Sequence, residues 1–172
     1  EFDAISTSAS KLLGLFTSSH MSYDLDRDPT LEPSLAEMTS KAIDVLKKNN
    51  KGMFLMVEGG RIDHALHETT ARKALQDTVA FDAAVQTAID KMNVIDPGLK
   101  NTLIVVTADH DHTMVLNGYA ALTGKTTDAN PGILGLLRSY IDGTTIAKDV
   151  NGIEFTIIGF GNGESRLGTR TA

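Results

Sequence analysis

The sequence predicts an α/β fold, a mostly parallel sheet flanked by helices. Three observations carry this. Met53-Phe54-Leu55-Met56-Val57 and Thr102-Leu103-Ile104-Val105-Val106-Thr107 are continuous apolar runs, too short for buried helices and suited to strands covered on both faces. A long helical pattern lies between them. Strand, helix, strand in this order implies a parallel pair joined by a right-handed crossover.

Bulk properties fit that class. The chain has 172 residues, enough for one domain with a sizeable core. It is 41% hydrophobic and 22% charged, ordinary for a soluble globular protein. The net charge is −6 with no basic block, so no nucleic-acid-binding patch is expected. No apolar run approaches the roughly 20 residues that span a bilayer, so no transmembrane segment is expected. The start Glu1-Phe2-Asp3-Ala4 carries no targeting signal and is expected to be that of a mature or internal segment. Cysteine is absent, which removes disulfides and thiolate zinc sites.

The elements follow in order. Leu12-Leu13-Gly14-Leu15-Phe16 has the composition of a short buried strand. The Ser, Asp and Pro-rich stretch from there to Pro33 reads as a loop, with His20 on its surface. Ser34, with Glu37 three residues on, marks a helix start by the capping-box pattern. Leu35, Met38, Ala42, Val45 and Leu46 then share one face. Lys47 and Lys48 suit the helix C-terminus, and Asn49-Asn50-Lys51-Gly52 ends it. After the first strand, one long helix is expected from about Asp63 to Met92, with Ala71, Leu75, Val79, Val85 and Ile89 on its inner stripe. Asp96-Pro97-Gly98 is a turn. Residues 132–141 predict a short helix and 154–160 a further strand, followed by a Gly-rich tail. No internal repeat appears.

Chemistry concentrates where the two central strands end. The first cluster is Glu58-Gly59-Gly60-Arg61-Ile62-Asp63-His64-Ala65-Leu66-His67; the second is Asp109-His110-Asp111-His112. Ligands of open parallel sheets bind beyond the carboxyl ends of strands, so both clusters face one rim. Asp63 and His67 are four apart on a helix, which stacks both side chains on one face. Such a pair can grip zinc at about 2.0–2.2 Å; it also fits an aspartate favoured by the helix dipole beside a surface histidine. Asp109 and His110 can converge on one ion where the chain turns at a strand end; a polar turn has the same composition. Glu58 after an apolar strand needs a metal, a hydrogen bond or an ion pair, Arg61 being the nearest cation in sequence. His64 and His112 suit supporting roles, His112 orienting a ligating carboxylate and His64 meeting a substrate oxyanion. Four of the five histidines fall in these two clusters, which favours a shared site. Two metals about 3.5–4 Å apart would serve an in-line displacement at phosphorus.

The stretch from Val57 to His64 and that from Thr107 to His112 resemble the alkaline phosphatase family, bacterial and animal. The likeness extends to Leu13-Gly14-Leu15-Phe16, to Asp28–Ser34 and to Gly161-Asn162-Gly163. The resemblance implies an alkaline-phosphatase-like three-layer sandwich, of which residues 1–172 form a partial catalytic domain, with 118–153 a variable surface insertion. It implies that Asp63 and His67 bind the first zinc, Asp109 and His110 the second, and Glu58 a magnesium ion. His112 then corresponds to a histidine bonded to a zinc-bound aspartate, and His64 to a position near the phosphate.

The implied reaction is hydrolysis of phosphate monoesters through a phosphoserine, with two Zn2+ and one Mg2+, in a periplasmic or extracellular homodimer that releases inorganic phosphate. The family's nucleophilic serine, its phosphate-binding arginine, a metal-bridging aspartate and a third zinc ligand match no position here, so an internal or C-terminal-half segment is expected, inactive in isolation. Glu32 falls at an expected calcium carboxylate, but Thr17 replaces another, and no calcium is assigned. A related metal-dependent phosphodiesterase or sulfatase-type hydrolase, or a non-catalytic metal-binding segment, fits the same ligands.

Overall fold

The computed structural model describes residues 2, 6, 8–121 and 135–161. They form two compact units: Glu1–Ala65 with Lys73–Asp109, and Leu66–Arg72 with His110–Ala172. Named elements are α1 (Leu35–Leu46), α2 (Arg61–His67), α3 (Ala71–Ile95), β1 (Met114–Leu116) and β2 (Ile158–Phe160).

The first unit rests on α1 and the greater part of α3. Helix α1 starts as the sequence predicts: Ser34 Oγ accepts from the Glu37 amide at 3.1 Å, and Glu37 Oε2 accepts from the Ser34 amide at 2.7 Å. Two backbone donors that a helix start leaves unpaired are thereby satisfied. The Ser34 bonds also hold the Glu37 carboxyl below its ordinary pKa. Ser34→Ala is expected to lower stability by about 1 kcal/mol, measured by urea unfolding. The buried residues of α1 are Thr39 and Ile43, and the five predicted to line its inner face are only half-buried. Thr39 tolerates burial because its hydroxyl donates to the Leu35 carbonyl at 2.7 Å. Lys91 on α3 pairs with Asp44 on α1, which Lys47 also contacts. These bonds lower the Asp44 pKa, Lys47 contributing most.

The long helix predicted from Asp63 to Met92 is two helices. Glu68-Thr69-Thr70 breaks it, with Thr69 at φ 58° in the left-handed region. The predicted stripe holds in part: Ala71, Val85 and Ile89 are half-buried. Leu75 and Val79 are exposed, whereas Ala74 and Ala84 are buried.

Residues 53–57 and 102–107 run without helical or ladder assignment, so the parallel sheet expected from them is not present among the described residues. Burial nonetheless alternates over Met53–Val57 and from Thr102 to Val105, the period of extended chain. Met53, Leu55 and Ile104 turn inward and, with Ile43, Phe81 and Met92, line a cavity of about 400 Å³. The opposite positions are bare: Phe54 is 89% exposed and Leu103 87%. The strand expected at 12–16 is not formed; Leu13 and Leu15 are exposed in irregular chain.

The second unit is built on a two-stranded antiparallel sheet. β1 pairs with β2 in the register Met114–Phe160, Val115–Gly159, Leu116–Ile158. The predicted strand over 154–160 is therefore present in part, as β2 preceded by isolated bridges at Glu154 and Thr156. The short helix predicted over 132–141 lies partly outside the described residues. Its described portion makes β-bridges instead, Leu136 to Thr156 and Arg138 to Ile146. Asp142 anchors the turn that follows. It accepts from the Thr144 and Thr145 amides and from the Thr145 hydroxyl, which holds its carboxyl down at about 2.

Candidate metal centre

The chain enters α2 through Gly59 and Gly60. The Gly59 carbonyl accepts the Ile62 amide at 3.1 Å, closing the first turn. A Cβ on Gly59 would stand 3.2 Å from both Ile62 Cδ1 and Phe81 Cδ2. Glycine is needed here for close approach rather than for an unusual φ. A Cβ on Gly60 would meet the exposed Glu58 side chain, which folds over it with Oε1 nearest at 3.2 Å.

Asp63 and His67 lie one turn apart in α2, so both project from the same face. Asp63 is half-buried and His67 exposed. Within the second unit, the His67 and His112 rings meet edge to face, centroids 4.6 Å apart. Each of these two rings offers a nitrogen within 4.8 Å of the other's. His110 and His112 follow at 5.4 Å between centroids. His110 Nδ1 lies 3.0 Å from the Asp111 carbonyl. A carbonyl only accepts, so Nδ1 carries the proton and Nε2 keeps the lone pair that a metal requires.

Two imidazoles facing each other are donors of the kind that hold a metal ion. Glu58, Asp109 and His110 do not join a cluster of three or more metal-type ligands among the described residues. Asp109 and Glu58 are exposed at the ends of their segments.

His64 has a different setting in the first unit. Its Nδ1 is 2.7 Å from Arg61 Nη1, and its ring packs edge-on against His20, centroids 4.3 Å apart. Arg61 lies over the Tyr23 ring, 3.7 Å from guanidinium carbon to centroid, with Lys73 Nζ at 4.5 Å from the same ring. Tyr23 is only 5% exposed. His20 is exposed, as its loop composition predicts, whereas no motif in the sequence singles out Tyr23. One tyrosine in a polar loop was the available signal, since a buried aromatic there must pack on something distant.

Asp77 on α3 completes this surrounding. It accepts the Asp24 amide at 3.3 Å, while its other oxygen is buried without a hydrogen-bond partner among the described residues. Burial raises its pKa most; the Asp24 amide and Arg61 pull it down, while the Asp24 and Asp26 charges push it up. A carboxyl with a raised native pKa is penalised when ionised, and the penalty disappears as pH falls through that pKa. Asp77→Asn is therefore expected to raise the melting temperature more at pH 7 than at pH 4. Thermal melts at the two pH values check this.

Glu32, at the expected calcium carboxylate, bonds within its own loop. Its carboxylate is buried and accepts the Ser22 amide at 2.9 Å and the Ser22 hydroxyl at 3.3 Å.

The family model for alkaline phosphatase matches residues 3–171. The chain belongs to the alkaline phosphatase family. Among its relatives is the membrane-bound alkaline phosphatase of Bombyx mori, 43% identical over 152 residues, covering 88% of this chain and 24% of that protein. The tissue-nonspecific isozymes of Gallus gallus and Felis catus are 44% and 42% identical over the same length, covering 88% of this chain and 26% and 25% of those proteins. The chain thus spans about a quarter of the length of these alkaline phosphatases. No helix among the described residues is long and apolar enough to cross a membrane.

Proposed function

We propose that this chain supplies much of the metal centre of an alkaline phosphatase that hydrolyses phosphate monoesters through a phosphoserine. The observation that carries the reading is the His67–His112 pair, with Asp63 one helical turn before His67. Asp63 and His67 would hold one zinc, Asp109 and His110 a second, and Glu58 a magnesium ion. Bound there, the ions supply Lewis acidity at phosphoryl oxygens and lower the pKa of a bound hydroxyl or water.

The chain's own groups do the rest. His110 presents Nε2 because its Nδ1–H donates to the Asp111 carbonyl. His112 packs against both His67 and His110 and restrains their rings. His64 donates toward a phosphate oxyanion. The attacking serine has no counterpart among these 172 residues and comes from another part of the polypeptide. We extend the reading to a secreted or periplasmic homodimer that acts on small phosphate monoesters and releases inorganic phosphate.

The same reading covers the architecture. Residues 53–57 and 102–107 become neighbouring strands of a three-layer sandwich when the remaining polypeptide covers Phe54, Met56, Leu103 and Val105. Residues 118–153 form its variable surface insertion.

The test is hydrolysis of p-nitrophenyl phosphate by the full-length protein, before and after chelation and with zinc and magnesium restored. The proposal requires activity that chelation removes and the two metals restore. Chelator-resistant hydrolysis, or hydrolysis of a phosphodiester or sulfate ester in preference, would contradict it. The 172-residue chain assayed alone is expected to show no hydrolysis, and measurable turnover by it would overturn the placement of the nucleophile elsewhere.

A further inference from the structure

We propose that Arg61 is a positioning residue that holds His64 as an Nε2–H donor for a phosphate oxyanion. The inference rests on the phosphatase reading for the ligand, but its geometric core stands apart from it.

A guanidinium has five N–H donors and no acceptor. With Arg61 Nη1 2.7 Å from His64 Nδ1, that nitrogen must accept through its lone pair. A neutral imidazole that accepts at Nδ1 carries its proton on Nε2. His64 is thereby set as a donor at the nitrogen that Arg61 leaves uncovered. A donor is what a phosphoryl oxygen requires, whereas a lone pair aimed at it would repel.

Arg61 can set the ring only if it is held itself. Its guanidinium lies 3.7 Å from the centre of the Tyr23 ring, and that ring is buried. A planar cation stacked on an aromatic face loses little further freedom on forming one more hydrogen bond. From another side, the His20 ring meets His64 at 71° and 4.3 Å, which opposes rotation of the imidazole. Arg61 and His64 are three residues apart in α2, so backbone geometry keeps them adjacent. The sequence Arg61-Ile62-Asp63-His64 thus places a tautomer-setting cation one turn before the ring it controls.

The experiment uses full-length protein labelled with 15N-histidine, with His64 signals identified by their loss in His64→Gln. The expected wild-type pattern is Nε2–H with an unprotonated Nδ1. Arg61→Met is expected to shift His64 toward Nδ1–H or a mixture, and Arg61→Lys to restore part of the Nε2–H pattern through its ammonium donor. In parallel, Arg61→Met is expected to weaken inhibition by inorganic phosphate about tenfold, the loss of one good hydrogen bond to a charged group. In the Arg61→Met/His64→Gln double variant the loss should be no larger than in His64→Gln alone.

An Nδ1–H wild-type ring, or His64 signals unchanged in Arg61→Met, overturns the proposal. Shifted signals with unchanged phosphate inhibition overturn its phosphate role. Full-length protein that hydrolyses no phosphate ester, yet shows the Arg61-dependent tautomer, defeats the phosphatase reading instead and leaves the Arg61–His64 arrangement intact.

Discussion

Asp63→Ala in the full-length protein is expected to strip one zinc per chain and lower phosphatase activity at least about 100-fold. Even groups that only support a metal ligand change affinity or activity about 10–100-fold when removed, and Asp63 is proposed as a ligand itself. The substitution leaves His67 without the carboxylate that neutralises part of the ion's charge. It should not unfold α2, because alanine is the strongest helix former and Asp63 lies in the first turn, where it loses only a modest dipole interaction. Asp109→Ala should likewise lose zinc, but with no helix to perturb. Elemental metal analysis together with turnover of a chromogenic phosphate checks both. Wild-type zinc content in either variant would refute that ligand.

Gly59→Val is expected to cost about 1 kcal/mol of stability, the low end of the range for overpacking, because the cavity beside Phe81 takes up part of the strain. The first added carbon already stands 3.2 Å from Phe81 Cδ2 and Ile62 Cδ1, and the two methyls beyond it have less room. Phe81 also lines the cavity of the first unit, so its ring has space to move. Movement there shifts the entry into α2 and, with it, Arg61, Asp63 and His64. Zinc content should therefore fall along with stability. Gly60→Ala is the control: its Cβ meets the flexible, exposed Glu58 side chain. Urea midpoints and metal content of the two variants should separate, with Gly59→Val the more damaging in both.

Much of this arrangement is legible in the sequence because it is local. The capping box is written into Ser34 and Glu37, and the structure forms both of its hydrogen bonds. The four-residue spacing of Asp63 and His67 places them on one helical face whatever surrounds them. What fails is what depends on distant partners. The break after His67 carries no Gly or Pro; Thr69 adopts a left-handed φ that local propensity disfavours in a β-branched residue. The inner face of α3 follows Phe81 and Ala84 rather than Leu75 and Val79, because the packing partners, not the periodicity alone, choose the face.

The two apolar runs show both sides of this. Their inward residues pack as expected, while Phe54 and Leu103 stand bare, since covering a second face requires other chain segments. His67 meeting His112 and His20 meeting His64 join positions more than forty residues apart, beyond any spacing rule. Arg61 is the instructive case. Sequence proximity suggested Glu58 as its partner, whereas in the fold it stacks on Tyr23 and bonds His64.

The most direct test of the metal centre is anomalous scattering at the zinc edge from crystals of the full-length protein. The account predicts one peak within about 2.0–2.2 Å of an Asp63 oxygen and a His67 nitrogen, and a second at the same distance from Asp109 and His110. Zinc bound elsewhere, with no peak at Asp63 and His67, would contradict it.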